Sequence, residues 1–286
     1  MKLIILTLAL AIATVSLAQN PPAKDESPHT RGFATVNGVK LHYLDWGGSG
    51  EVILFITGMG NTAHTFDWIA PKFTDKFRVL ALTRRGYGES DMPESGYDVD
   101  TLTEDVRQFL DHMKIKRVIL IGHSAGGDEL TNFASRYPKR TLKLVYLDAA
   151  YDRREVSKFE DLDPLKPPDP EDKGSLRERI DRMLIAGMSK YDPTYKKIKS
   201  PVLNYYAIWE KHWALRADTP ADKQKAAAEF IETVVRPYQR RNIERFKREV
   251  PRARVIELSG THHYFYRDPA KRDEVVKTIR EFLEGR

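Results

Sequence analysis

The sequence lacks cysteine altogether, and it lacks the common short motifs of metal and nucleotide binding. Because none of its 286 residues is cysteine, the chain forms no disulfide bond and must be stabilised by a packed core. It contains no His-Glu-x-x-His, and the neighbours His262 and His263 are poorly spaced to share one metal. No Gly-x-Gly-x-x-Gly opens the first predicted helix. We therefore expect no metal, nucleotide or other cofactor.

An excess of charge of one sign is also missing. Lys and Arg number 47 against 41 Asp and Glu, and the formal net charge is +6. Charges of both signs are interspersed, which is typical of a soluble surface with a basic bias. We expect no nucleic-acid partner, and the sequence leaves the oligomeric state open.

Long apolar runs are absent outside the first residues. Lys2 precedes the apolar stretch Leu3 to Leu17, which ends with small residues at Ser16 and Ala18. This pattern predicts a signal peptide over residues 1–18 that is cleaved near Ala18, and hence a periplasmic or secreted protein. The stretch is shorter than the roughly 20 residues of a spanning helix, so we expect no stable membrane anchor.

The remaining chain predicts a flexible lead followed by one large domain. Residues 19–31 are rich in Pro, Ser and charged residues and predict the lead. The domain is predicted over residues 32–286. It opens with a β-hairpin, because Asn37-Gly38 separates the alternating runs Gly32 to Val36 and Val39 to Tyr43.

Six further apolar runs alternate with helical patterns. The predicted strands are Glu51 to Ile56, Arg78 to Thr83, Arg117 to Ile121, Leu142 to Leu147, Val202 to Ile208 and Arg254 to Leu258. The predicted helices are Asp100 to Met113, Gly126 to Tyr137 and Pro269 to Glu284. Near-continuous apolar strands indicate a mostly parallel sheet with helices on both faces. The alternation is interrupted over residues 151–200, where a charged, Pro-rich segment with a helical pattern near Leu176 to Met188 predicts a small lid.

The clearest chemical signal is a serine at the end of a strand. The run Arg117 to Ile121 leads directly into Gly122-His123-Ser124-Ala125-Gly126, and a helical pattern follows. Gly-x-Ser-x-Gly between a strand and a helix predicts a nucleophile elbow, in which a tight turn exposes the serine hydroxyl. Ser124 is therefore the candidate nucleophile.

With this elbow, the chain resembles serine hydrolases of the α/β-hydrolase fold. The run Thr83 to Ser90 is similar to the structural Arg-Gly-x-Gly-x-Ser turn of that family. The resemblance implies an eight-stranded sheet and a triad in the order serine, acid, histidine. The segments 61–64, 127–130 and 146–152 together resemble an exported bacterial subgroup of unassigned substrate.

The base and the acid are each predicted with an alternative. Family members carry the base in a loop after the last strand, a few residues past a glycine, which favours His263 over His262. For the acid, Asp148 follows the run Leu142 to Leu147 directly, a position that certain haloalkane dehalogenases use. Glu210 is the alternative, but its segment lacks the Gly and Asp normally found in the family. We predict Asp148.

Two backbone groups are expected to form the oxyanion hole. One is the N–H of Ala125, which follows the nucleophile. The second, by the resemblance, is the N–H of Met59 in the turn after the strand Glu51 to Ile56. Thr57 departs from the His-Gly that family members usually have at this turn.

These residues predict an enzyme that hydrolyses carboxylic esters of small molecules through an acyl-enzyme. Two alternatives remain on the same fold. One is a peptidase resembling the proline iminopeptidases, with acidic residues of the lid holding a substrate amine. The other is a ligand receptor without catalytic activity. Haloalkane dehalogenation is disfavoured, because its nucleophile is a carboxylate and residue 124 is serine.

Overall fold

An eight-stranded sheet forms the centre of the protein. The computed structural model describes residues 27–155, 162–166, 174–212, 214–260 and 263–285. The strands are β1 Thr30–Val36, β2 Val39–Gly47, β3 Val52–Ile56, β4 Arg78–Leu82, β5 Val118–His123, β6 Thr141–Leu147, β7 Val202–Ile208 and β8 Arg254–Ser259. All eight predicted strands are present, with ends shifted by a few residues at most.

The strand order is β1-β2-β4-β3-β5-β6-β7-β8. β2 is antiparallel to both β1 and β4, whereas the pairs from β4 to β8 are parallel. Only β2 therefore runs against the direction of the other strands. The carboxyl ends of β3, β5, β6, β7 and β8 lie along one edge of the sheet, where an open parallel sheet places its binding site.

Six α-helices accompany the sheet in the described part of the chain. They are α1 Val99–His112, α2 Gly126–Arg136, α3 Leu176–Met188, α4 Ala221–Phe230, α5 Arg236–Glu249 and α6 Pro269–Glu284. Side chains of Asp98, Ser175 and Asp268 cap α1, α3 and α6 by accepting backbone N–H groups of the first turn. No element was predicted between Ile208 and Arg254. The structure has α4 and α5 there, joined by a short π-helical turn.

Side chains of each strand alternate between two cores. In β5, Leu120 packs with α1, α2 and α5 on one face of the sheet. Its neighbour Ile121 packs on the other face with α6 and with the short helical turns that follow β3. Both side chains are fully buried. Apolar residues on both sides of a strand are what a sheet covered on two faces requires.

The start of the domain differs from the prediction. β1 begins at Thr30, because Thr30 and Arg31 pair with β2, so the predicted lead ends two residues early. Ser27 is also held, since its hydroxyl accepts a hydrogen bond from the Trp46 indole at 2.7 Å.

The predicted signal peptide lies outside the described residues. Within the described ranges, no helix combines the length and the apolar character that crossing a membrane requires.

The predicted lid is described in part. Its residues 162–166 and 174–200 contain α3, as the helical pattern predicted. α3 packs Ile180 and Leu184 against Tyr87, Tyr97 and Ala125. It thus lies directly above the start of α2. Whether this segment acts as a lid stays a prediction.

Candidate active site

Ser124 lies in a sharp turn between β5 and α2. Its φ angle is +52°, a left-handed backbone conformation that residues other than glycine rarely adopt. A Cβ atom on Gly126 would lie 2.7 Å from the carbonyl oxygen of Ile56, so only glycine fits there. Ser124 is partly exposed, whereas its neighbours His123 and Ala125 are buried. The local geometry is that of a nucleophile elbow.

Asp148 and His263 form a close pair beside this turn. The Nδ1 atom of His263 lies 2.6 Å from Oδ2 of Asp148. The Asp148 side chain is 2% exposed and that of His263 is 27% exposed. A carboxylate only accepts hydrogen bonds, so Nδ1 carries the proton and Nε2 keeps its lone pair. A histidine held in this tautomer is able to accept a proton at Nε2.

The second oxygen of Asp148 is bonded as well. Oδ1 accepts a hydrogen bond from the Tyr151 hydroxyl at 2.6 Å and one from the Ala207 N–H at 3.1 Å. Gln239 in turn donates to the Tyr151 oxygen at 3.3 Å and to the Ala207 carbonyl at 2.7 Å. These bonds compensate the burial of the Asp148 charge and set the direction of its carboxylate plane.

The loop that carries His263 contacts the elbow through His123. The rings of His123 and His263 are 4.3 Å apart, and Nε2 of His123 lies 3.3 Å from the His263 carbonyl oxygen. Burial holds the pKa of His123 well below its usual range, so this ring is neutral. Its Nδ1 atom is buried and has no hydrogen-bond partner among the described residues. His123, the residue that precedes Ser124, therefore packs directly against the loop that carries His263.

The turn after β3 approaches Ser124 closely. A Cβ atom on Gly58 would lie 2.9 Å from Cβ of Ser124, so glycine is required for this approach. Met59 follows, with its side chain 38% exposed. Ala125 lies directly before α2, at a helix start whose first N–H groups have no intrahelical acceptor. The two predicted donor positions thus flank the nucleophile.

Two buried ion pairs hold the first turn of α2. Arg153 bonds Asp128 at 2.8 Å and donates to the Ser124 carbonyl oxygen at 2.7 Å. Arg84 bonds Glu129 through two 2.8 Å contacts and donates to the Thr57 carbonyl oxygen at 2.9 Å. Burial raises the pKa of Asp128 to about 7, against the opposing effect of the Arg153 charge.

The structure brings together most of the predicted site residues. Asp148, rather than Glu210, contacts His263. Glu210 is exposed beyond the end of β7. Its carboxylate lies beside Gly260, where an added Cβ atom would be 3.3 Å from Oε2 of Glu210. The alternative base, His262, lies outside the described residues.

Four neighbours of the site were not predicted from the sequence. Three of them are hydrogen-bonded to a site residue directly: His123 to His263, Tyr151 to Asp148, and Arg153 to Ser124. The fourth, Gln239, donates to the Tyr151 oxygen and so acts one step further out. His123 and Tyr151 are close in sequence to Ser124 and Asp148, which is a usable signal. Arg153 stands in the charged run Asp152-Arg153-Arg154, which is typical of a solvated surface. Gln239 is the only one of the four without a local cue.

Comparison with known proteins places this geometry in a known architecture. Residues 51–179 match the family model described as alpha/beta hydrolase fold. The crystal structure of E-2-(acetamidomethylene)succinate hydrolase superposes with a TM-score of 0.65, covering 90% of this chain and 100% of that chain at 19% identity. The chain has the α/β-hydrolase fold. The fold predicted from the sequence, with its mostly parallel eight-stranded sheet, is confirmed.

Two curated proteins align to part of the chain. An uncharacterized protein of Mycobacterium tuberculosis is 32% identical over 136 residues, which is 48% of this chain and 40% of that protein. Epoxide hydrolase 4 of Mus musculus is also 32% identical over 136 residues, 45% of this chain and 38% of that protein. The chain thus spans about two fifths of the length of these relatives.

Within the described ranges, no group of three His, Asp or Glu side chains is arranged to hold a metal ion. The chemical capacity of the site instead lies in a strained serine, a histidine oriented by a buried carboxylate, and two backbone positions beside the serine. These are the components of nucleophilic catalysis with proton transfer.

Proposed function

We propose that this protein is a serine hydrolase that cleaves carboxylic esters through an acyl-enzyme intermediate. The observation that carries the proposal is the 2.6 Å bond between Asp148 and His263 beside the elbow of Ser124. A serine hydroxyl is a weak nucleophile unless a base takes its proton, and the base must be held in one tautomer. Asp148 supplies that restraint.

In the acylation step, Oγ of Ser124 adds to the ester carbonyl carbon while Nε2 of His263 accepts the hydroxyl proton. Asp148 stabilises the imidazolium that results. Collapse of the tetrahedral intermediate breaks the bond to the alcohol oxygen, which leaves with the proton from His263. A water molecule then attacks the acyl-enzyme while His263 accepts one of its protons. The bond between the acyl carbon and Oγ of Ser124 breaks, Oγ takes the proton back from His263, and the carboxylic acid is released.

The negative charge on the carbonyl oxygen requires donors in both steps. We assign this role to the N–H groups of Ala125 and Met59. Ala125 benefits from its place at the start of α2, where the helix dipole favours negative charge. Gly58, between β3 and Met59, leaves room for the substrate carbonyl beside Ser124.

Similar proteins support hydrolysis as a class of reaction. Two of them are named as hydrolases, one of an epoxide and one of (acetamidomethylene)succinate. Ester cleavage is inferred from this chain itself, because the elbow carries a serine. A carboxylate would be needed there for haloalkane dehalogenation.

The test is release of p-nitrophenol from short acyl esters by the wild type and by Ser124→Ala. We expect Ser124→Ala to lower kcat by about 10⁶-fold without unfolding, since serine and histidine act as one unit. Ser135→Ala is the matched control, because Ser135 lies in α2 and its hydroxyl donates to the Asn132 carbonyl. Retention of about a tenth of the activity by Ser124→Ala would contradict the assignment.

The same assays separate the alternatives. Faster cleavage of proline p-nitroanilide than of any ester would indicate a peptidase. A wild type that hydrolyses neither substrate and is not labelled by a fluorophosphonate would indicate a receptor. A series of p-nitrophenyl esters of increasing acyl length then defines the acyl preference.

A further inference from the structure

A buried guanidinium contacts the backbone of the nucleophile turn. Nη2 of Arg153 donates to the carbonyl oxygen of Ser124 at 2.7 Å and lies 3.3 Å from that of Ala149. The Arg153 side chain is 10% exposed. Removing a charge from water costs several kcal/mol even in a well-made pair. The Arg153 charge thus lies buried next to the turn that carries Ser124. Its contact with the Ser124 carbonyl identifies the backbone group on which it acts.

The contacted carbonyl shares a peptide group with the proposed oxyanion donor. The C=O of Ser124 and the N–H of Ala125 belong to one planar trans unit and point in opposite directions. A bond that fixes the carbonyl therefore fixes the direction of the N–H. A cationic donor also draws electron density from the amide, which strengthens the N–H as a donor.

We propose that Arg153 is a positioning residue for the oxyanion hole: it orients and polarises the peptide between Ser124 and Ala125. This inference rests on the proposed function, since it assigns the Ala125 N–H to the oxyanion. Arg153 itself does not touch the substrate. The Ser124 carbonyl also accepts the N–H of Gly127 at 3.0 Å, a bond expected at any helix start. Arg153 adds the charged partner.

Asp128 completes the arrangement. Its Oδ1 atom bonds Nη1 of Arg153 at 2.8 Å, while Oδ2 is buried without a hydrogen-bond partner among the described residues. The carboxylate balances the Arg153 charge and holds the guanidinium from α2, the helix that begins just after Ala125. Removing Arg153 alone would leave this carboxylate buried and unpaired, which is strongly destabilising. The informative variant therefore changes both residues, Arg153→Met with Asp128→Asn.

Two other buried ion pairs provide a contrast. In the first pair, Arg84 with Glu129, Arg84 donates to the Thr57 carbonyl, which shares its peptide with Gly58 and not with Met59, the second proposed donor.

The second pair is Arg85 with Asp105, joined by contacts of 2.6 and 2.7 Å. Asp105 also accepts a hydrogen bond from Asn37. Both side chains of this second pair are as buried as Arg153 and Asp128. Arg85→Met with Asp105→Asn is the matched control.

The peptide itself can be observed, because Ser124-Ala125 is the only Ser-Ala dipeptide in the chain. Labelling serine with ¹³C at the carbonyl and alanine with ¹⁵N yields a single carbonyl-filtered amide signal in NMR spectra. Loss of a hydrogen bond to a carbonyl moves the ¹⁵N shift of the following amide upfield. We expect this in Arg153→Met/Asp128→Asn and not in Arg85→Met/Asp105→Asn. A signal that moves equally in both variants, or in neither, would overturn the proposal.

Kinetics test the consequence. Removing one oxyanion donor costs about 10²–10³-fold in kcat, and a misdirected donor costs less, so we expect a loss of about 10- to 100-fold. KM for p-nitrophenyl esters should change by less than about twofold, because the interaction belongs to the transition state. The affinity for a trifluoromethyl ketone, which forms an oxyanion on Ser124, should fall by the same factor as kcat. The low-field ¹H NMR signal of the Nδ1 proton of His263, which is hydrogen-bonded to Asp148, should persist in this variant.

Each outcome is informative. A kcat within about twofold of that of the Arg85→Met/Asp105→Asn control, despite an altered peptide signal, would show a purely structural role. If the double variant does not fold, Arg153→Lys keeps the charge but loses the fork, and should show the same changes at smaller size. A wild type without ester turnover would refute the proposed function. The NMR signal would then still decide whether Arg153 controls this peptide.

Discussion

Strands β6 and β7 lie side by side, and each is followed by a carboxylate with a different environment. Asp148 comes directly after Leu147, the last residue of β6, and is 2% exposed. Glu210 comes two residues after the end of β7 and is exposed. Asp148 has a φ angle of +50°, which turns the chain immediately at the strand end. The two acids follow neighbouring strands, but Asp148 is buried in the protein and Glu210 is exposed to solvent.

A carboxylate can hold a histidine in one orientation only if its own oxygens are fixed by hydrogen-bond donors, and a position at a strand end does not supply these donors by itself. Both oxygens of Asp148 are bonded, one to His263 and the other to Tyr151 and Ala207. A buried carboxylate with these partners has one favourable orientation. A carboxylate in water is solvated in many orientations and gains little from any one contact. Substitutions at His263, Asp148, Tyr151 and Glu210 test this difference, and we expect their effects on kcat to decrease in that order.

The largest effect is expected at His263, the proposed base, which Asp148 contacts. His263→Ala should lower kcat for p-nitrophenyl esters as much as Ser124→Ala does, about 10⁶-fold, because neither residue works without the other. His262→Ala is the adjacent control and should be milder. Loss of activity in His262→Ala with an active His263→Ala would reassign the base.

Asp148→Asn should follow, with a loss in kcat on the order of 10⁴-fold. The amide keeps the shape but presents an NH₂ group or a neutral oxygen to His263, so the tautomer is no longer fixed. Circular dichroism should show a folded variant, because the Tyr151 and Ala207 donors still find an acceptor oxygen. A loss below about tenfold would remove Asp148 from the triad.

Tyr151→Phe should reduce kcat by about tenfold, the equivalent of roughly 1.4 kcal/mol for one lost hydrogen bond to a charged group. Ala207 still holds Oδ1, so the orientation of Asp148 is loosened and not lost. Tyr238→Phe is the control, because Tyr238 stacks on Tyr151 but donates to the Asp152 carbonyl. Equal losses in the two variants would show that Tyr151 acts through packing only.

Glu210→Gln should have the smallest effect, less than about tenfold in kcat. The sharper measurement combines it with Asp148→Asn in a double-mutant cycle. We expect additive effects, because only Asp148 contacts His263. A much larger effect of Glu210→Gln in the Asp148→Asn background would mean that Glu210 can take over as the acid.

The position of the nucleophile could be predicted from the sequence because its geometry is local. A tight turn after β5 needs glycine where the backbone of β3 approaches, and Gly126 meets that need within two residues of Ser124. The apolar runs likewise predicted the strands, since both faces of the sheet are covered. The helices α4 and α5 were missed, although residues 221–230 include three consecutive alanines that favour helix. The roles of Ser124, Asp148 and His263 remain predictions.

The α/β-hydrolase architecture and the serine elbow could be predicted from the sequence, because apolar periodicity and turn chemistry depend on neighbouring residues. The choice between two carboxylates required the folded structure, since Asp148 contacts His263 across 115 positions of the chain. The folded structure also shows that Arg153, in a run typical of a surface, is buried beneath Ser124, 29 positions earlier. Such contacts arise where parallel strands end at one edge of the sheet, and no local pattern encodes which side chains meet there.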